Sequence, residues 1–372
     1  MTRVETTGSA FDPRYARQHT LRGFGAAAQE RLTASRVLVV GAGGLGAPVS
    51  MYLAAAGVGA ISMVDSDQVD LTNLHRQLLY GTRDVGRPKL DAARERLADI
   101  NPHVTLATHD TRLTSGNASA LVQGHDIVVD ATDNFPARYA INDACLEHGV
   151  PFVYGSVARF QGQVSVFASG DGPCYRCLFP EPPPPGSVPT CAEEGVLGVV
   201  PGIVGLHQAN EAIKLITGIG TPLVGRLLLL DLLENDFRSI AIDRRASCPF
   251  HSQSGTRVNS PISFSSPVPQ LTAPELAARL QSDSAPQVID VREQWEYDIA
   301  HLPSSRLIPL SELQTTVSSL EKDGDYVLLC HHGMRSEMAA QWLQGQGFTR
   351  VANLAGGIDG WVTNVDTTMA RY

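Results

Sequence analysis

The stretch Arg36-Val-Leu-Val-Val-Gly-Ala-Gly-Gly-Leu-Gly46 decides the fold. Its first half is a short apolar run stopped by glycines, as expected of a strand buried on both faces of a parallel sheet. The second half, Gly41-Ala-Gly-Gly-Leu-Gly46, has the spacing G-x-G-x-x-G. Glycines at 41, 43, 44 and 46 let the backbone approach a phosphate at the N-terminus of the next helix. Free N–H groups and the helix dipole favour an anion there. Ala47–Ala56 reads as that helix, and Ala60–Val64 as a second strand ending at Asp65, which is placed to hydrogen-bond a ribose. Further on, Lys89–Asp99 reads as helix, and Val104–Thr108 and Asp126–Val129 as strands. Strands separated by helices predict an α/β fold, a Rossmann-like and mostly parallel sheet covered by helices on both faces.

After Val150 the pattern changes. Gly162–Phe167 alternates as an antiparallel extension should, and the prolines of Pro180–Pro189 exclude regular helix or central strand. Gly205–Thr217 reads as a helix, with Leu206, Ala209, Ile213 and Ile216 at helical spacing and Gly218 as its stop. Tyr139–His148 is amphipathic and places Cys145 in the core. The clearest seam is His251–Gln270, which carries six serines and three prolines without apolar periodicity. It reads as a linker between a domain over 1–250 and a smaller α/β domain over 271–372. The small domain opens with Thr272 as a helix cap and Pro274 in the first turn, followed by strands at Gln287–Asp290 and Tyr326–Leu329.

Composition narrows the function. The 372 residues carry a formal charge of −9, which argues against non-specific binding to nucleic acid or anionic membrane. Hydrophobic residues make up 43% and charged residues 18%, enough apolar material for full cores. No apolar run reaches the roughly 18 residues of a membrane span, and Met1–Asp12 lacks a secretory pattern. Six cysteines, two of them in Cys174-Tyr-Arg-Cys177, suit metal binding and thiol chemistry better than a secreted disulfide framework. A cytoplasmic enzyme of two or three domains is expected.

The glycine motif alone fits a nicotinamide-dependent oxidoreductase equally well. The sequence that follows weighs against it. Asp65-Ser-Asp67 is succeeded by Leu71-Thr-Asn-Leu-His-Arg-Gln77 and by Gly86-Arg-Pro-Lys89. A triphosphate carries about four negative charges, so Arg76 and Lys89 make sense as its partners. Asp130-Ala-Thr-Asp-Asn134 puts Asp133 at the carboxyl edge of the sheet, where one carboxylate with phosphate oxygens suits Mg²⁺. Jointly these residues favour ATP.

The segments RYARQ (14–18), VLVVGAGGLG (37–46), VDSDQVDLTNLHRQ (64–77), VGRPKLDAA (85–93), ATDN (131–134), CYRCLFP (174–180) and CAEEGVLG (191–198) carry a resemblance. Residues 14 to about 250 resemble the ubiquitin-activating-enzyme-like adenylyltransferases, most closely the MoeB/ThiF/HesA type of molybdopterin-synthase and thiazole-biosynthesis enzymes. That resemblance implies adenylation by ATP of the C-terminal glycine of a small ubiquitin-fold sulfur-carrier protein ending in Gly-Gly. It implies ATP and magnesium contacts from Gly44, Asp65, Asn73, Arg76, Lys89 and Asp133, with the adjoining Gly41, Gly43, Gly46, Asp67 and Asn134 in the same pocket. It also implies a homodimer in which Arg17 reaches the partner's nucleotide.

Cys174 and Cys177 form a knuckle typical of structural zinc. The family usually supplies a second Cys-x-x-Cys after the sheet; here it reads Cys248-Pro-Phe-His251, a Cys₃His set. By the same resemblance Cys191 is a candidate nucleophile toward the acyl-adenylate or its acyl persulfide.

In the small domain, Cys330-His-His-Gly-Met-Arg335 places a thiol between a strand and a helix N-terminus, with Arg335 closing the loop. Backbone N–H groups in such a turn favour an anion. Together with Asp290-Val-Arg292, Glu296, His301-Leu-Pro303 and Gly356-Gly-Ile-Asp-Gly-Trp361, it makes residues 271–372 resemble a rhodanese, which implies a persulfide on Cys330. Phosphatases of related fold also pair a loop cysteine with an arginine, but four intervening residues suit a sulfur atom better than a phosphate. His331 and His332 read as solvated loop residues. The fusion implies that the Cys330 persulfide attacks the acyl-adenylate. A thiol such as Cys191 then releases the carrier thiocarboxylate, and a cysteine desulfurase or thiosulfate supplies the sulfur. A nicotinamide oxidoreductase and a non-catalytic scaffold for a ubiquitin-like protein are the alternatives.

Overall fold

The computed structural model of the chain describes residues 12–168, 170–183, 195–248, 250, 268–282 and 284–371. They fall into two compact units, one drawn from residues up to 258 and a smaller one drawn chiefly from residues 259–372. No described helix is long and apolar enough to cross a membrane.

The large unit is built on one sheet of eight strands: β1 (Arg36–Val40), β2 (Ala60–Asp65), β3 (Thr105–Asp110), β4 (Ile127–Asp130), β5 (Phe152–Ala158), β6 (Gln161–Phe167), β7 (Arg226–Asp231) and β8 (Asp236–Ala241). Their order is β3-β2-β1-β4-β5-β6-β7-β8. The first five in that order are parallel, and β6, β7 and β8 extend the sheet antiparallel. The strand β1 lies at the centre of the five parallel strands, with Val37 facing Ile61 on one side and Ile127 on the other. Strand order reverses between β1 and β4, and in open α/β sheets that reversal opens a crevice beyond the carboxyl ends of the strands. The loops after β1 and β4 both leave into it. They touch so closely that a Cβ on Gly41, whose φ is +98°, would lie 2.6 Å from the Ala131 carbonyl oxygen.

Two helices begin earlier than their sequences suggest. The helix expected from Gly205 spans Val199–Thr217, with Pro201 in its first turn. Proline is tolerated there because the first N–H groups of a helix have no intrahelical partner. The helix expected from Tyr139 spans Phe135–His148, capped by Asn134, whose Oδ1 accepts from the Ala137 N–H at 3.0 Å. Cys145 is buried in its core, as expected.

In the small unit, β9 (Gln270–Leu271), β10 (Gln287–Asp290), β11 (Ser305–Leu307), β12 (Asp325–Leu329) and β13 (Arg350–Leu354) form an all-parallel sheet in the order β11-β10-β12-β13-β9. Val268 already packs in its core. Thr272 and Glu275 close a capping box on the helix Ala273–Leu280. The central strand β12 runs directly into Cys330, and the helix Met334–Gly345 follows after His331, His332 and Gly333.

Candidate functional site

Around the crevice of the large unit the glycine loop is held from several sides. Asp65 at the end of β2 accepts the Ala42 N–H on Oδ2 at 2.7 Å and the Asp67 N–H on Oδ1 at 2.9 Å. The Tyr80 hydroxyl donates to the Ala42 carbonyl at 2.7 Å. Burial, then the carboxylates of Asp65, Asp67 and Asp84, hold that hydroxyl far above its ordinary pKa, so it stays a donor. Gly46 has no room for a side chain: a Cβ there would collide with the Gly41 carbonyl.

Lys89 is buried at the start of the helix Lys89–Ile100. Its Nζ lies 2.8 Å from Asp67 and 3.9 Å from Asp65, so one ammonium is shared by two carboxylates. Half-buried Arg76 packs its stem beside Gly44 and donates to the Thr72 carbonyl at 2.9 Å. Asn73 is half-buried one turn before it, and its Oδ1 closes a capping box with the Asp70 N–H. The carboxylate of Asp133 is exposed just past β4 and has no hydrogen bond or ion pair among the described residues. Arg17 is exposed on the short helix Ala16–His19, on the same unit.

Behind this loop lies a buried polar group that sequence reasoning missed. Asp130 is fully buried and accepts from the Thr132 N–H at 3.0 Å and the Thr132 hydroxyl at 2.6 Å. Arg138 lies 3.8 Å from it and donates to the Thr132 carbonyl at 3.1 Å. Burial pushes the Asp130 carboxyl upward, and the Arg138 charge works against that. Gln208, from the helix Val199–Thr217, donates to the Asp130 carbonyl at 2.6 Å. The backbone on either side of Asp133 is therefore fixed from within. No local pattern in the sequence signals that Asp130, at the end of β4, and Arg138, in the following helix, meet.

Cys174, Cys177 and Cys248 come together from distant parts of the chain. Their sulfurs lie 3.8 Å (Cys174–Cys177) and 3.6 Å (Cys174–Cys248) apart, with all three mutually within 4.8 Å. A tetrahedral zinc with Zn–S near 2.3 Å requires sulfurs about 3.8 Å apart, so the trio fits three corners of that geometry. Burial, reinforced by the neighbouring sulfurs, pushes the Cys174 thiol well up, so holding thiolates here needs a cation. His251, the expected fourth ligand, and Cys191 lie outside the described residues.

In the small unit Cys330 is 2% exposed. The Gly333 N–H points to its Sγ at 3.1 Å and the Ser336 hydroxyl at 3.3 Å. Gly333 takes φ +93°, a left-handed turn that aims its N–H inward. Gly357 admits no Cβ because the Cys330 and His331 carbonyls press on it. Both terminal nitrogens of Arg335 bind the Glu296 carboxylate, at 2.6 and 2.7 Å. Arg292 is fully buried against Asp290 at 2.5 Å and also donates to the Ala300 carbonyl at 2.7 Å, tying the loop after β10 to its neighbours. Ser336, itself fully buried, was not singled out in the sequence; a serine directly after Arg335 was the signal. His331 is half-buried rather than solvated and stacks on exposed His332 with ring centroids 4.0 Å apart.

Comparison with known proteins adds the family. Residues 15–250 match the ThiF family and residues 272–364 the rhodanese-like domain. A probable adenylyltransferase/sulfurtransferase MoeZ of Mycobacterium tuberculosis is 43% identical over 371 residues, covering 96% of this chain and 95% of the relative. The adenylyltransferase and sulfurtransferase MOCS3 of Culex quinquefasciatus is 39% identical, covering 96% of this chain and 89% of the relative. A sulfur carrier protein adenylyltransferase of Thermus thermophilus is 53% identical over 241 residues, 63% of this chain and 89% of that protein. Among solved structures, E. coli MccB superposes with a TM-score of 0.57 at 22% identity over 65% of this chain and 74% of its own, a likeness of fold. Nothing in these likenesses favours a nicotinamide oxidoreductase or a non-catalytic scaffold. The chain belongs to the ThiF family and carries a C-terminal rhodanese-like domain, the make-up of an adenylyltransferase/sulfurtransferase.

Proposed function

We propose that the large unit uses ATP to adenylate the C-terminal glycine of a small ubiquitin-fold sulfur carrier ending in Gly-Gly, and that Cys330 then delivers sulfur to it. The observation that carries this reading is the end-to-end likeness to an adenylyltransferase/sulfurtransferase, 43% identical across 96% of this chain. In this reading residues 1–250 form the adenylation domain, 251–270 a linker and 271–372 the sulfurtransferase.

A carrier carboxylate oxygen attacks the α-phosphorus of ATP, the bond to the β-phosphate bridge breaks, and pyrophosphate leaves. Both reactants are anionic, so positioning and charge neutralisation carry the step and no protein nucleophile is required. Arg76 and Lys89 serve as cations to the phosphates, Lys89 leaving Asp67 to do so. Gly41, Gly43, Gly44 and Gly46 admit the phosphates, while Asp65, Asp67, Asn73 and Asn134 orient the nucleoside and loop. Asp133 would hold Mg²⁺, which supplies charge neutralisation at phosphate oxygens; its carboxylate, without a partner among the described residues, suits that role. In a homodimer, exposed Arg17 reaches the partner's nucleotide.

The terminal sulfur of a Cys330 persulfide then attacks the acyl carbonyl, and AMP leaves. A thiolate, from Cys191 or a free thiol, attacks the Cys330 sulfur and expels the carrier thiocarboxylate. The resulting disulfide is reset by an external thiol reductant. The persulfide comes from a cysteine desulfurase or from thiosulfate. A thiol that must stay reactive fits a cytoplasmic setting.

Carrier-dependent ATP–pyrophosphate exchange tests the first half. Exchange is expected only with an intact diglycine terminus; its absence with Mg-ATP and such carriers would overturn the reading. Cys174, Cys177, Cys248 and His251 would hold a structural zinc. Purified protein should contain about one zinc per chain, and Cys248→Ser should lower both zinc content and the melting temperature.

A further inference from the structure

The histidines beside Cys330 are the part of the small-unit loop that the reaction above leaves unused. Gly333 and Ser336 hold the sulfur from within. The outward residues of the loop are half-buried His331 and exposed His332 and Met334. The two imidazoles stack at 4.0 Å with 18° between their planes.

The fixed charges near them are already paired. From their own loop comes Arg335, and from the helix Gln294–Ile299 comes Glu296; the two join in a two-pronged ion pair at 2.6 and 2.7 Å. From the helix Gly357–Asn364 comes Asp359, whose N–H donates to the His331 carbonyl at 3.1 Å and whose carboxylate carries Arg371 at 2.7 and 3.0 Å. Imidazoles are the side chains that ordinarily change charge between pH 5 and 8. Burial, and next the neighbouring His332, hold His331 below its ordinary pKa, so it stays neutral to lower pH than a free imidazole. The loop thus offers a sulfur donor backbone dipoles, compensated ion pairs and a switchable imidazole stack.

Building on the reading that Cys330 carries transferable sulfur, we propose that the His331–His332 stack is a proton-gated selector for small anionic sulfur donors. With both rings neutral, the loop's one described cation, Arg335, is paired with Glu296, and the loop does not concentrate a dianion such as thiosulfate. With a ring protonated, it does. In that loading step the Cys330 thiolate attacks the outer sulfur of thiosulfate, the sulfur–sulfur bond breaks, and sulfite leaves with the bonding pair. An uncharged donor gains nothing from the same protonation.

The test compares alkylation of Cys330 in the full chain by iodoacetate, an anion, and by iodoacetamide, its neutral near-isostere. Both rates scale with the thiolate fraction, so their ratio reports the charge around the sulfur. Peptide mass analysis confines the measurement to Cys330. Between pH 8 and 5.5 the iodoacetate-to-iodoacetamide ratio should rise about three- to tenfold, and the KM for thiosulfate, with cyanide as sulfur acceptor, should fall in parallel. In His332→Arg the ratio should be high already at pH 8, and in His331→Gln/His332→Gln it should be flat. A flat ratio in the unsubstituted chain overturns the proposal without the need for any variant. If sulfur transfer to cyanide proves independent of Cys330, as read in Cys330→Ser, the underlying reading fails as well; if it depends on Cys330 while the ratio is flat, the selector alone fails.

Discussion

Both units place their chemistry in a loop that leaves the carboxyl end of a central parallel strand and enters a helix, yet the two loops are prepared differently. The sulfur loop is finished: Cys330 is buried, two donors already point at its sulfur, and its flanking charges are locked as Glu296–Arg335 and Asp290–Arg292. The glycine loop is provisional. Its cation Lys89 is held by Asp67 and Asp65, and Asp133 has no hydrogen-bond or ion-pair partner among the described residues. In the proposed function a single sulfur atom needs no rearrangement to be received, whereas a polyphosphate would exchange existing ion pairs for its own. Preorganisation and exchange are two solutions to anion binding on one architecture, chosen by the size and charge of the anion.

That contrast can be broken at several points. The largest effect is expected at the provisional loop: Asp133→Ala should reduce ATP–pyrophosphate exchange about 10²- to 10³-fold while circular dichroism stays unchanged, and undiminished exchange would contradict the proposed Mg²⁺ role of Asp133. Next comes the locked region. Arg292→Met leaves Asp290 buried without its partner, and breaking such a pair costs about 3–5 kcal/mol. Urea unfolding should show the small unit destabilised while ATP–pyrophosphate exchange in the large unit persists; an unaltered transition would mean that the pair contributes nothing. A smaller effect is expected at the sulfur itself. Ser336→Ala removes one donor and should slow persulfide loading about tenfold with Ser336→Thr restoring it, and an equal loss in both variants would mark the residue as a packing element instead.

The sequence made some of this legible and hid the rest for physical reasons. Val37–Val40 and Gly41–Gly46 are local signals, and the strand, the turn and the helix they announce are all present. The loop Cys330–Arg335 was legible for the same reason, since strand, turn and helix follow one another within it. The helix Val199–Thr217 starts before the apolar spacing that marks its later turns, with Pro201 in a first turn where proline costs no hydrogen bond. The strands β7 and β8 were not read at all: Leu227–Leu230 is a continuous apolar run without the alternation that marks an antiparallel partner. Partnerships across the chain left no local trace. The contact between Asp130 and Gln208 spans 78 positions and that between Arg335 and Glu296 spans 39. The resemblance placed Cys248 beside Cys174, 74 positions away, and the fold brings their sulfurs together.

The coupling of activation to sulfur delivery within one chain is tested most directly by the mass of the carrier. A diglycine-ended carrier is incubated with ATP, Mg²⁺, a persulfide donor and a thiol reductant, together with either the unsubstituted chain or Cys330→Ser. The unsubstituted chain should replace one carboxylate oxygen of the carrier with sulfur, and Cys330→Ser should stop at the AMP-linked carrier. Thiocarboxylate formed equally by both proteins would contradict the account.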